Sequence, residues 1–178
     1  ERGITSTVVI ATSTSGEREL VTTISEGLDA KIWDLPAMRC AATLTGHRER
    51  VTCVVCASNV VFTGSVDRTI RVWSLLQNGE CVAVLRGHTD SITALAVDTA
   101  AIWLASGAHD GSIRIWHVPA RTCTAIFGES RNAGLATAAF PRCLVMDETR
   151  SHLYCGLQNG ELQLWNLHQH LVTVKRPS

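Results

Sequence analysis

Apolar positions along this chain fall in short runs and do not form one stripe at helical spacing. Runs such as Val51 to Ala57 and Asn59 to Phe62 are rich in β-branched residues and bounded by turn residues, which predicts strands and disfavours helices. Val54-Val55 and Val60-Val61-Phe62 have no polar residue between them, the pattern of a sheet covered on both faces. Four segments end in an apolar residue followed by Trp: Ala30 to Trp33, Thr69 to Trp73, Ser112 to Trp116 and Glu161 to Trp165. Their tryptophans stand 40, 43 and 49 residues apart. Two Gly-His pairs, Gly46-His47 and Gly87-His88, lie 41 residues apart, and each His precedes its Trp by a similar interval, 26 and 28 residues.

Self-similarity at a period of about 40–45 residues with this signature predicts propeller blades, not stacked helices. On Gly46-His47, Asp67 and Trp73, and again on Gly87-His88, Asp110 and Trp116, the sequence resembles the WD40 repeat family, with Trp33-Asp34 supplying the name dipeptide. The resemblance covers nearly the whole chain, as one WD40 region over 1–178 with repeats at about 1–44, 45–85, 86–127 and 128–178. It implies an all-β fold, a β-propeller of four four-stranded antiparallel blades, with strands lettered a to d from the central channel outward. Strand a is expected at 4–11, 51–57, 92–97 and 142–147, and strand b at 20–24, 60–64, 103–107 and 153–156. The Trp-bearing segments are strand c, and strand d is expected at 41–44, 82–85, 123–127 and 171–174. Small residues such as Ala94, Ala96, Ala105 and Gly107 suit the crowded inner strands. WD40 rings most often close with about seven blades, so the resemblance implies a part of a larger ring whose open ends are covered by further blades or by another subunit.

The polar signature residues carry a second implication. By resemblance, the His of the Gly-His pair, a strand-b Ser or Thr, the Asp of the b–c turn and the strand-c Trp form one buried hydrogen-bonded network. Those positions are His47, Thr63, Asp67 and Trp73 in the second repeat, and His88, Ser106, Asp110 and Trp116 in the third. The set also has the composition of a Ser-His-Asp triad, but it recurs at the blade period, and an enzyme needs one nucleophile rather than a series. The first repeat has Gly3-Ile4 in the Gly-His slot and Gly27 in the Asp slot, which predicts a broken network around Thr23 and Trp33. The fourth has Gly128-Glu129, Cys155 and Asn159 at the three positions, so its blade is expected to be held by packing, with Gln158-Asn159-Gly160 as a hairpin turn. Gly128 precedes its Trp by 37 residues against 27 and 29 in the preceding repeats, which places an insertion at 129–141. That segment reads equally as a docking loop or as a tolerated surface loop. The stretch 13–19 is a second polar loop, on the opposite face.

Charge narrows the function classes. Sixteen Lys and Arg against 16 Asp and Glu give a net charge of zero in 178 residues, which argues against a general nucleic-acid or membrane-surface binder. No apolar run approaches the roughly 20 residues of a spanning helix. The start, Glu1-Arg2-Gly3, is expected to belong to a piece of a longer product without a secretory leader. Seven cysteines, an odd number lying mostly within apolar runs, read as free and buried thiols of a reducing intracellular compartment, cytoplasmic or nuclear. Cys53 and Cys56 have metal-like spacing but would point to opposite faces of a strand, and His168 and His170 have no third ligand in view, so neither metal nor cofactor is expected. Trp103 lies off the strand-c position and is expected in the core.

Partner-binding candidates are the exposed positions flanking the signature residues: Arg48, Glu49, Arg50, Val66, Arg68, Thr89, Asp90 and His109, with Arg131 in the insertion. Arg48, Arg50 and Arg68 fall in one repeat, where guanidinium groups would pair with an acidic or phosphorylated segment or simply form a solvated charged loop. The expected function is a non-catalytic protein-protein interaction scaffold within a larger assembly. One alternative is the substrate-recognition or phosphopeptide-reading module of a ubiquitin ligase, with those three arginines converging on one pocket. A purely architectural subunit of a cytoskeletal, ciliary or ribosomal complex would instead use blade edges and long loops. A hydrolase would need a cleft beside Thr63 or Ser106.

Overall fold

Alternation of short β-rich runs with tight turns folds each repeat into its own antiparallel sheet. The computed structural model describes residues 6–12, 19–24, 27–128, 139–149 and 151–167. The first sheet holds β1 (Ser6–Thr12), β2 (Glu19–Ile24), β3 (Ala30–Asp34) and β4 (Arg39–Leu44), and the second β5 (Val51–Ala57), β6 (Val60–Ser65), β7 (Thr69–Ser74) and β8 (Glu80–Arg86). The third holds β9 (Ile92–Val97), β10 (Trp103–Ala108), β11 (Ile113–His117) and β12 (Thr122–Phe127). The fourth has three described strands, β13 (Pro141–Asp147), β14 (His152–Leu157) and β15 (Leu162–Asn166). Every sheet runs in simple sequence order, and no helix occurs among the described residues. Strand boundaries fall within about two residues of those expected, with β5 and β9 as read from the sequence. The expected strand at 171–174, the loop at 13–18, the insertion from 129 to 138 with Arg131, and His168 and His170 lie outside the described residues.

The inner strands β1, β5, β9 and β13 are neighbours in that order, so the sheets stand face to face like blades about an axis. Three apolar seams hold them. Ile24, Ile32 and Leu44 of the first sheet meet Val51, Val54, Val61 and Trp73 of the second. Phe62, Ile70, Val72 and Leu85 of the second meet Ile92, Leu95, Leu104 and Trp116 of the third. Ala94, Ala96, Ala105, Ile113 and Ile115 of the third meet Leu144, Leu153, Cys155 and Trp165 of the fourth. Burial on both faces explains why Val61 and Phe62, adjacent in sequence, are both inaccessible to solvent, one in each seam. Truncating a side chain such as Phe62 to alanine would cost about 3–5 kcal/mol.

Two threonines stitch the inner strands across the seams. Thr52 Oγ1 donates to the carbonyl of Ile92 at 2.6 Å, and Thr93 Oγ1 donates to the carbonyl of Pro141 at 2.5 Å. Arg142 holds the same place in β13. The far face of the fourth sheet lies open, with Val145 60% and Leu162 46% exposed, whereas Val55 and Ile70, their counterparts by register, pack into the seam with the third sheet.

Two sequence expectations need correction. All seven cysteines are free, but Cys155 alone is fully buried; Cys53, Cys56, Cys81 and Cys123 are half-buried, and Cys40 and Cys143 are exposed, because Cys40 lies on an outer strand and Cys143 on the open face of the fourth sheet. Trp103 is 38% exposed and lies against His117, with ring centroids 4.9 Å apart, instead of entering the core. It begins β10 and lines an open groove between the third and fourth sheets instead of a closed seam. Cys53 and Cys56 face different seams, which removes any shared metal, and burial raises their thiols to about 12 and about 11.

Candidate functional site

The network positions come from four segments of one repeat. His47 lies in the connection before strand a, Thr63 on strand b, Asp67 in the b–c turn, and Trp73 on strand c. Trp73 Nε1 donates to Thr63 Oγ1 at 2.8 Å, and the Thr63 hydroxyl meets His47 Nε2 at 2.7 Å. His47 Nδ1 meets Asp67 Oδ2 at 2.8 Å. One tautomer satisfies the whole chain: Nδ1–H donates to the carboxylate, and Nε2 accepts from the hydroxyl. The third repeat repeats this, with Trp116 Nε1 to Ser106 Oγ at 2.8 Å, Ser106 to His88 Nε2 at 2.8 Å and His88 Nδ1 to Asp110 Oδ2 at 3.0 Å.

The aspartates also organise the turns. Asp67 accepts from the backbone N–H of Arg48 and of Thr69 and from the Thr69 hydroxyl. Burial pushes its pKa up, but those bonds and the one from His47 outweigh burial and hold the carboxyl at about 2. Asp110 is likewise held well below the carboxylate range, burial being overcome by bonds from His88, Ser112 and the Thr89 N–H. His47 moves the other way from a simple ion pair: burial, joined by the Arg71 charge, lowers its pKa in spite of Asp67, so the ring is neutral at pH 7.

Gly46 completes the geometry by leaving room for Arg71. A Cβ there would fall 2.7 Å from Arg71 Nη1, and its φ of 145° disfavours a side chain independently. Gly87 leaves the same room for Arg114. The Arg71 guanidinium lies 5.8 Å over the Trp73 ring and roofs the network.

Catalysis by this constellation is excluded by access. Thr63 and Ser106 are wholly buried and His47 and His88 nearly so, so no substrate reaches either hydroxyl. The outer repeats keep fragments of the network. Trp33 Nε1 still donates to Thr23 Oγ1 at 2.8 Å, so the first repeat retains the strand-b to strand-c bond. In the fourth, Cys155 and Trp165 share the buried cluster, the Trp165 indole N–H has no partner among the described residues, and the ring stacks on Phe127 at 4.7 Å.

The partner-binding candidates separate. Arg50, Val66 and His109 line a cavity of about 200 Å³ at the end of the array that carries the b–c turns. Arg48, Glu49, Arg68, Thr89 and Asp90 are exposed around it without lining it. Arg68 reaches across to the Thr89 carbonyl at 3.5 Å, and Asp90 accepts from the Ser91 N–H at 2.6 Å. Arg48 and Arg68 therefore do not join Arg50 in lining this cavity.

Two residues not singled out from the sequence join the cavity. Arg142 lines it, and Phe140 contacts two of its lining residues, with ring centroids 4.2 Å apart to His109 and the Arg142 guanidinium 5.5 Å over its ring. The signal was in the register: Thr52 and Thr93 hold the second position of strand a in their repeats, and Arg142 breaks that pattern. Ser91, Thr52 and Thr93 add hydroxyl groups, and no carboxylate lines the cavity among the described residues.

Comparison with known proteins agrees with this architecture. The profile of the WD domain, G-beta repeat family matches residues 38–74 and 79–117. The chain is 38% identical over 76 residues to cell division control protein 4 of Candida albicans, covering 43% of this chain and 11% of that protein. It is 31% identical over 146 residues to the DENN domain and WD repeat-containing protein SCD1 of Arabidopsis thaliana, covering 80% of this chain and 12% of that protein. Pre-mRNA-processing factor 19 of Bos taurus is 29% identical over 150 residues, or 82% of this chain and 28% of that protein. The chain thus spans less than a third of each of these relatives. Two matched repeats with their buried His-Asp-Trp networks, set among four face-to-face antiparallel sheets, make this chain a WD40-repeat protein built as a propeller segment.

Proposed function

We propose that this chain is a non-catalytic protein-interaction platform that docks an acidic or phosphorylated segment of a partner at the Arg50–His109–Arg142 cavity. The observation that carries the reading is the composition of that cavity. Two guanidinium groups and an imidazole surround it, hydroxyl groups line it, and no lining carboxylate opposes them among the described residues. Guanidinium groups pair bidentately with carboxylate and phosphate, and Phe140 restrains Arg142 and His109 before any ligand arrives, which lowers the ordering cost of binding. The seven free thiols support a reducing, intracellular location.

A second contact is proposed on the open face of the fourth sheet, where Val145 and Leu162 offer the kind of surface that further blades or another subunit would cover. Under this reading the repeats run at about 1–44, 45–85, 86–127 and 128–178.

Titration of a fluorescent peptide carrying one phosphoserine among acidic residues tests the cavity. The wild-type chain should bind with a salt-sensitive affinity that Arg50→Ala with Arg142→Ala weakens at least about tenfold, while Arg48→Ala with Arg68→Ala leaves it nearly unchanged. Equal binding by wild type and the Arg50/Arg142 variant would refute the assignment.

A further inference from the structure

Repeats that share a register should make similar seams, so a seam that opens has a sequence cause. The seam between the second and third sheets is closed. Ala57, Val60, Val82, Ala83, Val97 and Val118 pack there around a buried centre that includes Val72, Leu85 and Leu104. Ladder register carries these positions onto the seam between the third and fourth sheets. There Asp98 replaces Ala57, Trp103 replaces Val60 and Thr124 replaces Val82. On the facing sheet Glu148 stands at the position of Thr99 and Ser151 at that of Ile102. The result is a groove of about 530 Å³ at the end of the array that carries the a–b turns, opposite the basic cavity.

Its walls and its mouth differ in chemistry. Trp103, Ile115, Phe127, Met146 and Leu167 make the walls apolar and partly aromatic, while Asp98 and Glu148 bring two carboxylates. Both carboxylates are held in place. Asp98 Oδ1 accepts the N–H groups of Ile102 and Trp103 at 2.8 and 2.9 Å. Glu148 accepts the Thr99 N–H at 2.6 Å through one oxygen and the Thr99 hydroxyl at 2.9 Å through the other. Neutral donors position these charges without cancelling them, and no described Lys or Arg pairs with either or lines the groove. Fixed anionic groups beside aromatic walls favour a cation on an apolar stem.

We infer that this groove is a second docking site, specific for a partner segment with one Lys or Arg beside a large apolar side chain. The cationic head meets Asp98 and Glu148, and the apolar side chain fills the space between Trp103 and Phe127 that the tighter seam fills for itself. The volume lies within the range of sites that enclose a small ligand or two to three side chains. The site shares no lining residue with the basic cavity, so the two readings stand or fall separately.

Calorimetric titration of the chain with a panel of capped pentapeptides, each with a central Arg or Lys flanked by Leu or Phe, tests this inference. At least one peptide should bind with a dissociation constant below about 1 mM. Asp98→Asn with Glu148→Gln removes both charges while each amide oxygen still accepts from the backbone N–H groups and the Thr99 hydroxyl turns to accept from the new amide N–H; the pair should weaken binding about tenfold in a chain that still melts cooperatively. Ala125→Leu, which places an apolar side chain into the groove, should abolish binding. No binding by any peptide, equal binding when norleucine replaces the central base, or equal binding by the Asn/Gln variant would each overturn the inference. So would self-association of the chain through this groove, seen as a concentration-dependent mass that Ala125→Leu removes.

Discussion

Thr63→Val removes one hydroxyl, keeps the side-chain shape and leaves two buried groups without partners. The Trp73 indole N–H loses its acceptor at 2.8 Å, and His47 Nε2 loses its donor at 2.7 Å. Thr63, Trp73 and His47 are 0%, 2% and 4% exposed, so water cannot replace the lost bonds without opening the seam. Each of the two orphaned buried groups costs about 1–3 kcal/mol, and the added methyl returns about 0.8 kcal/mol, leaving a net loss of about 1–5 kcal/mol. At a urea dependence of about 1–3 kcal/mol per molar, the unfolding midpoint should fall by about 0.4 M or more. Thr63→Ser, which keeps the hydroxyl, should recover most of the loss. The fourth repeat supplies the reciprocal experiment: Cys155→Thr offers Trp165 the acceptor it lacks and should stabilise by about 1 kcal/mol. Urea unfolding followed by tryptophan fluorescence and far-ultraviolet circular dichroism measures all three. A Thr63→Val chain within about 0.5 kcal/mol of wild type would refute the claim that the network, and not packing alone, holds the second blade.

Acid should destabilise in two stages. His47 is depressed below its ordinary value, so its contribution is complete above about pH 6.5 and declines as pH falls and the unfolded chain takes up the proton. Asp67, at about 2, and Asp110, lower still, contribute fully above about pH 4, and that stability is lost as pH falls toward their folded values. A urea midpoint that stays flat from about pH 5 to pH 3 would contradict this. Gly46→Ala places a Cβ 2.7 Å from Arg71 Nη1 at a φ of 145° and should cost about 1–3 kcal/mol, read by thermal melting. Iodoacetamide at mildly alkaline pH should label the exposed Cys40 and Cys143 first, while Cys53 and Cys155, both raised to about 12 by burial, stay unmodified until unfolding. Peptide mapping with equal rates at Cys53 and Cys143 would count against the seam assignment.

The repeat period and the apolar-Trp endings made the sheets, their order and most strand limits legible, because blade packing imposes the same pattern on every repeat. The network partners were legible for the same reason. The cavity was only half legible. Arg50, Val66 and His109 flank signature residues and announced themselves, whereas Arg142 and Phe140 enter from the next repeat but one after Arg50, through contacts that no local spacing encodes. Arg48 and Arg68 looked equivalent to Arg50 along the chain, yet Arg48 lies outside the cavity and Arg68, at a φ of 67°, turns toward Thr89. Trp103 was misplaced because an extra Trp in an apolar strand reads as core, and its exposure follows from the seam beside it. That seam opens where Asp98, Thr124 and Ser151 depart from the repeat, a difference that becomes meaningful only once register pairs them with Ala57, Val82 and Ile102.

Charge reversal at the basic cavity tests the central claim most directly. Binding of the acidic phosphopeptide and of a basic peptide of equal length is measured for the wild-type chain and for Arg50→Glu with Arg142→Glu. The cavity assignment predicts that wild type prefers the acidic peptide and that the variant loses this preference by at least about a hundredfold, with its melting temperature retained. An unchanged preference in a folded variant would contradict it.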